Sequence, residues 1–191
     1  MPTSSGQHAS EICGDGGRRD AAREDSAVTL LVAADGRAVW RGRELRSAIG
    51  RGGIAVRKTE GDGTTPGGRF PLRRVLYRAD RTDRPRTGLP CGPIAPRDGW
   101  CDAPGDPRYN RPVGHPYPAS AERLWRSDAC YDLLAVIGYN DDPVIDGAGS
   151  AVFLHVARPG YPPTEGCVAL ALEDLRAVLA GWRPDDRIEI G

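Results

Sequence analysis

The chain has no apolar run of about 18 residues or more, so no segment is predicted to cross a membrane as a helix. It also carries no net charge: 26 basic residues balance 26 acidic ones, leaving no overall field to attract a polyanion. Lys and Arg never cluster with interleaved aromatics, so no nucleic-acid partner is expected. Aromatic residues are scarce at 6%, whereas glycine (25) and proline (17) are abundant. That balance argues against a helical bundle and for strands and loops. Several signatures are missing as well. No C-x-x-C pair or H-x-x-x-H is present, so no metal site is expected. The glycine-rich "EGDGTTPGG" lacks the G-K-[ST] ending of a phosphate loop, the G-x-G-x-x-G spacing of a dinucleotide loop and the ligand pattern of a calcium loop. There is no G-x-S-x-G elbow for a serine nucleophile.

The 191 residues suffice for one ordinary domain with a full core. Residues 1–26, "MPTSSGQHASEICGDGGRRDAAREDS", read as a disordered, charge-rich leader without the apolar segment of a secretory signal. Residues 27–191 read as a single domain. "VTLLVAADGRAVW" predicts a hairpin about Asp35 and Gly36. Residues 50–68 read as a glycine-rich loop framing a short strand at 54–56, and "RFPLRRVLYR" as a strand. Residues 79–120 are proline-dense and irregular, and are expected to lie over one face of the sheet. A helical turn is predicted after Ser120, then strands in "YDLLAVIGYN" (131–140) and "SAVFLHVA" (150–157). "ALEDLRAVLAGWRP" places Leu172, Leu175, Val178 and Leu179 on one helical face, with acids in the first turn and Gly181 and Pro184 at the end. A closing strand "RIEI" follows. The fold class expected is mainly β, with one C-terminal helix and a long irregular insertion.

Of the five cysteines, Cys13, Cys91, Cys101, Cys130 and Cys167, at least one stays unpaired in any disulfide scheme. Taken alone, Cys167 in "TEGCVAL" reads either as an inert core thiol or as a nucleophile. His155 gives the second possibility content. Strand alternation sends Val152, Leu154 and Val156 to one face and Phe153, His155 and Ala157 to the other. The twelve-residue step from His155 to Cys167 contains three prolines and two glycines in "VARPGYPPTEG", so it can loop back and bring thiol and imidazole together. A thiolate nucleophile needs such a neighbour to take its proton. Gly166, lacking a side chain, would let backbone N–H groups approach a developing oxyanion, or would simply make a turn. His8 and His115 read as exposed loop residues.

These segments, from "RKTEGDGTTPGGRFPL" through "GWCDAPGDPRYNRPV", "LWRSDACYDLLAVIGYN" and "GSAVFLHVARPGYPPTEGCVAL", resemble the YkuD-type L,D-transpeptidase family. The resemblance implies a β-sandwich-like catalytic domain that remodels peptidoglycan, with Cys167 as nucleophile and His155 as base. It further implies a main-chain carbonyl, such as that of Val156, to orient the imidazole, and oxyanion donors at Gly166 and Cys167. Tyr139, Asn140, Trp100, Asp102, Asn110, Arg126 and Asp128 are then the expected substrate contacts. The chain departs from the common S-H-G-C-[IV]-R form: Glu165 stands where the second His would be and Ala169 where the Arg would be. Donor recognition is therefore expected to differ, as in a divergent proteobacterial branch. The implied partners are donor and acceptor stem peptides, the implied product a 3,3 or 1,3 cross-link, and the implied compartment the periplasm. No cofactor is implied, and a monomer is the expected state. A peptidase using the same Cys-His pair and an inactive wall-binding protein are the alternatives. In an oxidising compartment two of Cys91, Cys101 and Cys130 are expected to pair, Cys101 with Cys130 first among the choices, whereas in the cytoplasm all are expected to stay reduced.

Overall fold

The computed structural model describes residues 29–191; the leader expected at 1–26, with Cys13 and His8, lies outside the described residues. Strands β1 (Thr29–Val32), β2 (Arg37–Trp40) and β3 (Arg43–Ala48) form a meander whose first turn falls at Asp35 and Gly36. The Asp35 carboxylate caps that turn by accepting from the Arg37 N–H at 2.9 Å. β4 (Ile54–Ala55) and β5 (Thr65–Pro66) pair in parallel and frame the glycine loop between them. β6 (Gly68–Phe70) and β7 (Leu72–Tyr77) follow each other directly, broken at Pro71, which has no N–H for a ladder.

The segment expected to be irregular carries strands of its own: β8 (Cys91–Pro93), β9 (Asp98–Cys101) and β10 (Pro112–Gly114). β11 (Ala121–Arg123) occupies the place of the helical turn predicted after Ser120, because it pairs with β9 to complete a small sheet in the order β10-β9-β11. A local propensity lost there to a distant partner strand. A turn of 3-10 helix comes later, at Ala129–Tyr131. It leads into β12 (Leu133–Ile137), β13 (Phe153–Val156) and β14 (Val168–Leu170), then helix α1 (Leu172–Gly181) and β15 (Arg187–Ile190).

Ten strands make one sheet in the order β6-β15-β1-β2-β3-β14-β13-β12-β7-β8. Since β6 and β7 are consecutive in the chain yet sit near opposite ends of that order, the sheet curls on itself. One side of it holds the first core, where Leu30, Val32 and Leu45 meet Val75, Leu133 and Leu154 around Leu175, Val178 and Leu179 of α1. The helix is locally consistent: Glu173 and Asp174 lie in its first turn, and Trp182, the residue that ends it, stacks on Trp40 at 5.3 Å. A second core on the other side of β12 and β13 joins Leu134, Val136 and Phe153 to Ile94, Trp100, Leu124 and Tyr131 from the segment that covers this face. The alternation read from "SAVFLHVA" holds, with Val152, Leu154 and Val156 in the first core and Phe153 in the second. Among the described residues no helix is long and apolar enough to cross a membrane.

Leu175 is fully buried where α1 meets the sheet. Leu175→Ala is expected to lower unfolding stability by about 3 kcal/mol, seen as a lower urea midpoint with an unchanged slope.

Candidate active site

His155 lies in β13, a strand buried on both faces, and is 7% exposed. β14 runs parallel beside it with Leu154 opposite Val168 and His155 opposite Ala169, so Cys167 enters the sheet next to the histidine strand. Both residues line one cavity of about 600 Å³. The His155 Nδ1 lies 2.9 Å from the Val156 carbonyl oxygen. A carbonyl only accepts, so Nδ1 carries the proton and Nε2 is the basic nitrogen. The edge of Tyr131 packs against the imidazole at 5.4 Å between centroids and 74° between planes.

The Cys167 Sγ accepts from the Phe153 N–H at 3.4 Å and donates to the Ala151 carbonyl at 3.4 Å. Burial pushes this thiol up to about 12; the Glu122 charge adds to the rise, while the Phe153 N–H, Lys58 and the Tyr131 hydroxyl oppose it. Burial pulls His155 down to about 4, only partly offset by the Val156 carbonyl. At pH 7 the site therefore holds a neutral thiol and a neutral imidazole, not an ion pair.

The loop before the cysteine is fastened by hydroxyls. Thr164 Oγ1 donates to the Cys167 carbonyl at 2.7 Å and accepts from the Gly166 N–H at 3.2 Å. Buried Thr65 accepts from the Gly50 N–H at 2.7 Å and reaches the same Cys167 carbonyl at 3.3 Å. Gly166 adopts φ +132°, and a Cβ there would stand 2.8 Å from the Thr64 carbonyl oxygen, so only glycine fits. Its N–H is thus engaged by Thr164, which leaves it poorly placed for the oxyanion role expected of it.

Of the expected substrate contacts, Arg126 and Asp102 line the cavity. Arg126 is held by two 2.8 Å bonds to Asp128, and Asp128 also takes Arg158 at 3.0 Å and caps the 3-10 turn through the Cys130 N–H. The Arg126 guanidinium, acting against the cost of burial and helped by Arg158, holds the Asp128 carboxyl well below the usual range. Trp100, Asn110, Tyr139 and Asn140 are not in the cavity wall. Trp100 packs edge-on to Phe153 in the second core and donates to Asn110 Oδ1 at 2.8 Å. Asn110 Nδ2 donates to the carbonyls of Tyr139 and Asn140 at 3.2 and 2.7 Å, stitching the covering segment to the loop after β12. The Tyr139 hydroxyl donates to the Ala148 carbonyl at 2.6 Å, and its ring meets Phe70 edge-on. Asn140, with φ +47°, folds its own loop through bonds to Ile145 and Gly149. Asn110, Tyr139 and Asn140 thus satisfy backbone groups, and Trp100 satisfies Asn110.

The cavity wall also contains residues that motif reading passed over: Lys58, Glu60, Glu122, Tyr131 and Arg158. The Tyr131 hydroxyl donates to Glu122 at 2.5 Å, and the Glu60 carboxylate accepts from Ser150 at 2.7 Å. Burial raises the Glu122 carboxyl above the usual range, against the pull of Tyr131 and Arg126. The available signal is "RKTEGDG" itself, a glycine loop with a cation and acids at its edge. His115, expected in an exposed loop, instead packs over Gly99, where an added Cβ would lie 2.5 Å from Nε2.

Cys91, Cys101, Cys130 and Cys167 are all free thiols, so the expected Cys101–Cys130 disulfide is not formed. The Cys101 thiol bonds to Asp106 in the covering segment, whereas Cys130 belongs to the cavity wall. Among the described residues no group of three or more His, Cys, Asp or Glu could hold a metal ion.

A family model described as the L,D-transpeptidase catalytic domain, YkuD, matches residues 24–190. Comparison with curated proteins gives no match. Among solved structures, an L,D-transpeptidase from Mycobacterium smegmatis is 14% identical, with 86% of this chain and 58% of that chain covered and a TM-score of 0.41. The helical cell shape determining protein Pgp2 from Campylobacter jejuni is 16% identical over 87% of this chain and 47% of that one, with a TM-score of 0.45. L,D-transpeptidase 3 from Mycobacterium tuberculosis, in complex with a faropenem-derived adduct, is 14% identical over 86% of this chain and 60% of that one, with a TM-score of 0.41. The chain thus spans about half to three fifths of the length of these proteins.

The buried imidazole has a consequence for stability. A folded value of about 4 against 6.5 in the unfolded chain means that the unfolded state binds the proton first. Stability from this group is complete above pH 6.5 and falls by roughly 3 kcal/mol as pH drops to about 4. Urea unfolding across that window should show the loss, and His155→Gln should flatten it relative to the unmutated protein.

Proposed function

The chain belongs to the YkuD family of L,D-transpeptidase catalytic domains, and on that premise we propose that it cross-links peptidoglycan stem peptides by acyl transfer through Cys167. The observation that carries the reading is the His155 imidazole, whose Nδ1 is committed to the Val156 carbonyl in the cavity that Cys167 also lines. Its free Nε2 is the base that a thiol nucleophile requires.

With thiol and imidazole both neutral at rest, proton transfer accompanies attack and does not precede it. The thiol turns from the Ala151 carbonyl to His155, gives its proton to Nε2, and sulfur bonds to the carbonyl carbon of the donor stem. The tetrahedral intermediate collapses with cleavage of the C–N bond, the leaving amine takes the proton from His155, and a thioester remains. A side-chain amine of the acceptor stem then attacks the thioester, passes a proton to His155, and the departing thiolate recovers it. The cavity suits charged peptides, since Arg123, Arg126 and Arg158 stand in its wall together with Glu60, Asp102 and Glu122. Substrates of this class place the protein's work in the cell wall, outside the cytoplasmic membrane.

Incubation with purified disaccharide-tetrapeptide, read by mass spectrometry, tests the assignment. Cross-linked dimer is expected from the unmutated protein and none from Cys167→Ala, with fragmentation distinguishing a 3,3 from a 1,3 linkage. His155→Gln should lower the rate about 10²- to 10⁴-fold. Shortened monomer without dimer would make the protein a peptidase, and a Cys167→Ala variant of undiminished activity would sink the mechanism.

A further inference from the structure

The 26 basic side chains of the protein are 25 arginines and a single lysine, Lys58. This one compact ammonium is also the most deeply placed cation of the site: its side chain is 3% exposed, and it lines the cavity that holds Cys167. Asp62 Oδ1, at 2.7 Å, is its one hydrogen-bond partner among the described residues. An ammonium has three N–H donors, so two remain for whatever enters the cavity. Asp62 is heavily engaged elsewhere, accepting from the Thr64 N–H at 2.8 Å, the Thr64 hydroxyl at 2.9 Å and the Thr59 N–H at 2.7 Å. It fixes the lysine in place while backbone donors share its charge.

Two glycines make the berth. A Cβ at Gly149 would stand 2.8 Å from Lys58 Cδ and Cε, and one at Gly166 would stand 3.2 Å from Nζ. Both glycines have positive φ, +100° and +132°. The ammonium therefore rests against the residue that precedes the nucleophile. An arginine fork is planar and broader, and would not fit the same space. Meanwhile the Gly166 N–H is occupied by Thr164, so of the two backbone donors expected at the oxyanion of an acyl transfer, Gly166 and Cys167, one is already engaged.

We propose that Lys58 is a further catalytic residue of this site: its ammonium, fixed by Asp62 and seated over Gly166, donates to the carbonyl oxygen under attack by Cys167. The idea rests on the acyl-transfer reading above. As the S–C bond forms, the C=O electron pair moves to oxygen, and the Lys58 N–H stabilises that charge without giving up its proton. The same positive charge favours the thiolate, in opposition to Glu122, whose charge disfavours it.

The test uses the full chain with Lys58→Met, and Lys58→Met combined with Asp62→Asn so that no carboxylate is stranded. For both, kcat is expected to fall about 10²- to 10³-fold with KM changed far less. The pH profile of Cys167 alkylation by iodoacetamide should move upward by about one unit. Thermal unfolding monitors the fold. A lost kcat with an unmoved alkylation profile would reduce Lys58 to a structural role, and unchanged values of both would overturn the proposal. A second measurement needs no variant. Because Lys58 is the only lysine, reductive ¹³C-methylation labels it singly apart from the α-amine, and carboxymethylation of Cys167 should shift its resonance. An unmoved resonance would overturn the proposal even if the variants fail to fold. An alkylation shift without any peptidoglycan product would instead keep Lys58 at the thiol and reject the substrate.

Discussion

The structure depends on a strand that is buried on both faces. β13, Phe153–Val156, lies between two cores, and its strict alternation gives Leu154 and Val156 to one and Phe153 to the other. His155 shares the Phe153 face, so it is carried into the interior between Tyr131 and the cavity. A slip of one residue would send the imidazole into the aliphatic core and Leu154 to the cavity. The register is held by β12 on one side, with Leu134 opposite His155, and by β14 on the other. The position of the proposed base is therefore a by-product of core packing.

The cysteine is placed by a different device. Cys167 precedes β14, and its carbonyl is tied by two hydroxyls, that of Thr65 in β5 and that of Thr164 in the loop before the cysteine. The parallel bridge between Gly50 and Thr164 joins the same loop to the end of the first meander. Polar satisfaction and glycine geometry thus do here what apolar packing does for the histidine. The balance of charge around the thiol is set by residues far apart in sequence: Lys58 with Asp62 on one side, Glu122 with Tyr131 on the other. In a low-dielectric cavity these few charges outweigh the balanced charge of the whole chain.

Much of the architecture was legible in the sequence. The turn at Asp35, the final helix with its acidic first turn and the closing strand follow from local chemistry and periodicity, and they appear where those rules put them. That His155 and Cys167 come to one cavity was legible because the connecting loop is short and rich in proline and glycine. The surroundings of the expected contacts Trp100, Asn110, Tyr139 and Asn140 were not legible, because a polar side chain in a long loop looks the same whether it meets a ligand or a backbone carbonyl. In the fold Asn110 binds the backbone of residues 139 and 140, and Tyr139 that of Ala148. β11 replaced a predicted helical turn because its partner, β9, is a strand about twenty residues away.

By itself, then, the sequence determined the mainly β character, the single helix, the faces of β13 and the family to which the chain belongs, since all of these reside in local pattern and short motifs. Only the tertiary structure decided which polar residues line the cavity, left the cysteines unpaired and set Lys58 beside Gly166. Those outcomes depend on the approach of segments tens of residues apart, and no local rule fixes the distance between two side chains whose strands meet only when the sheet curls.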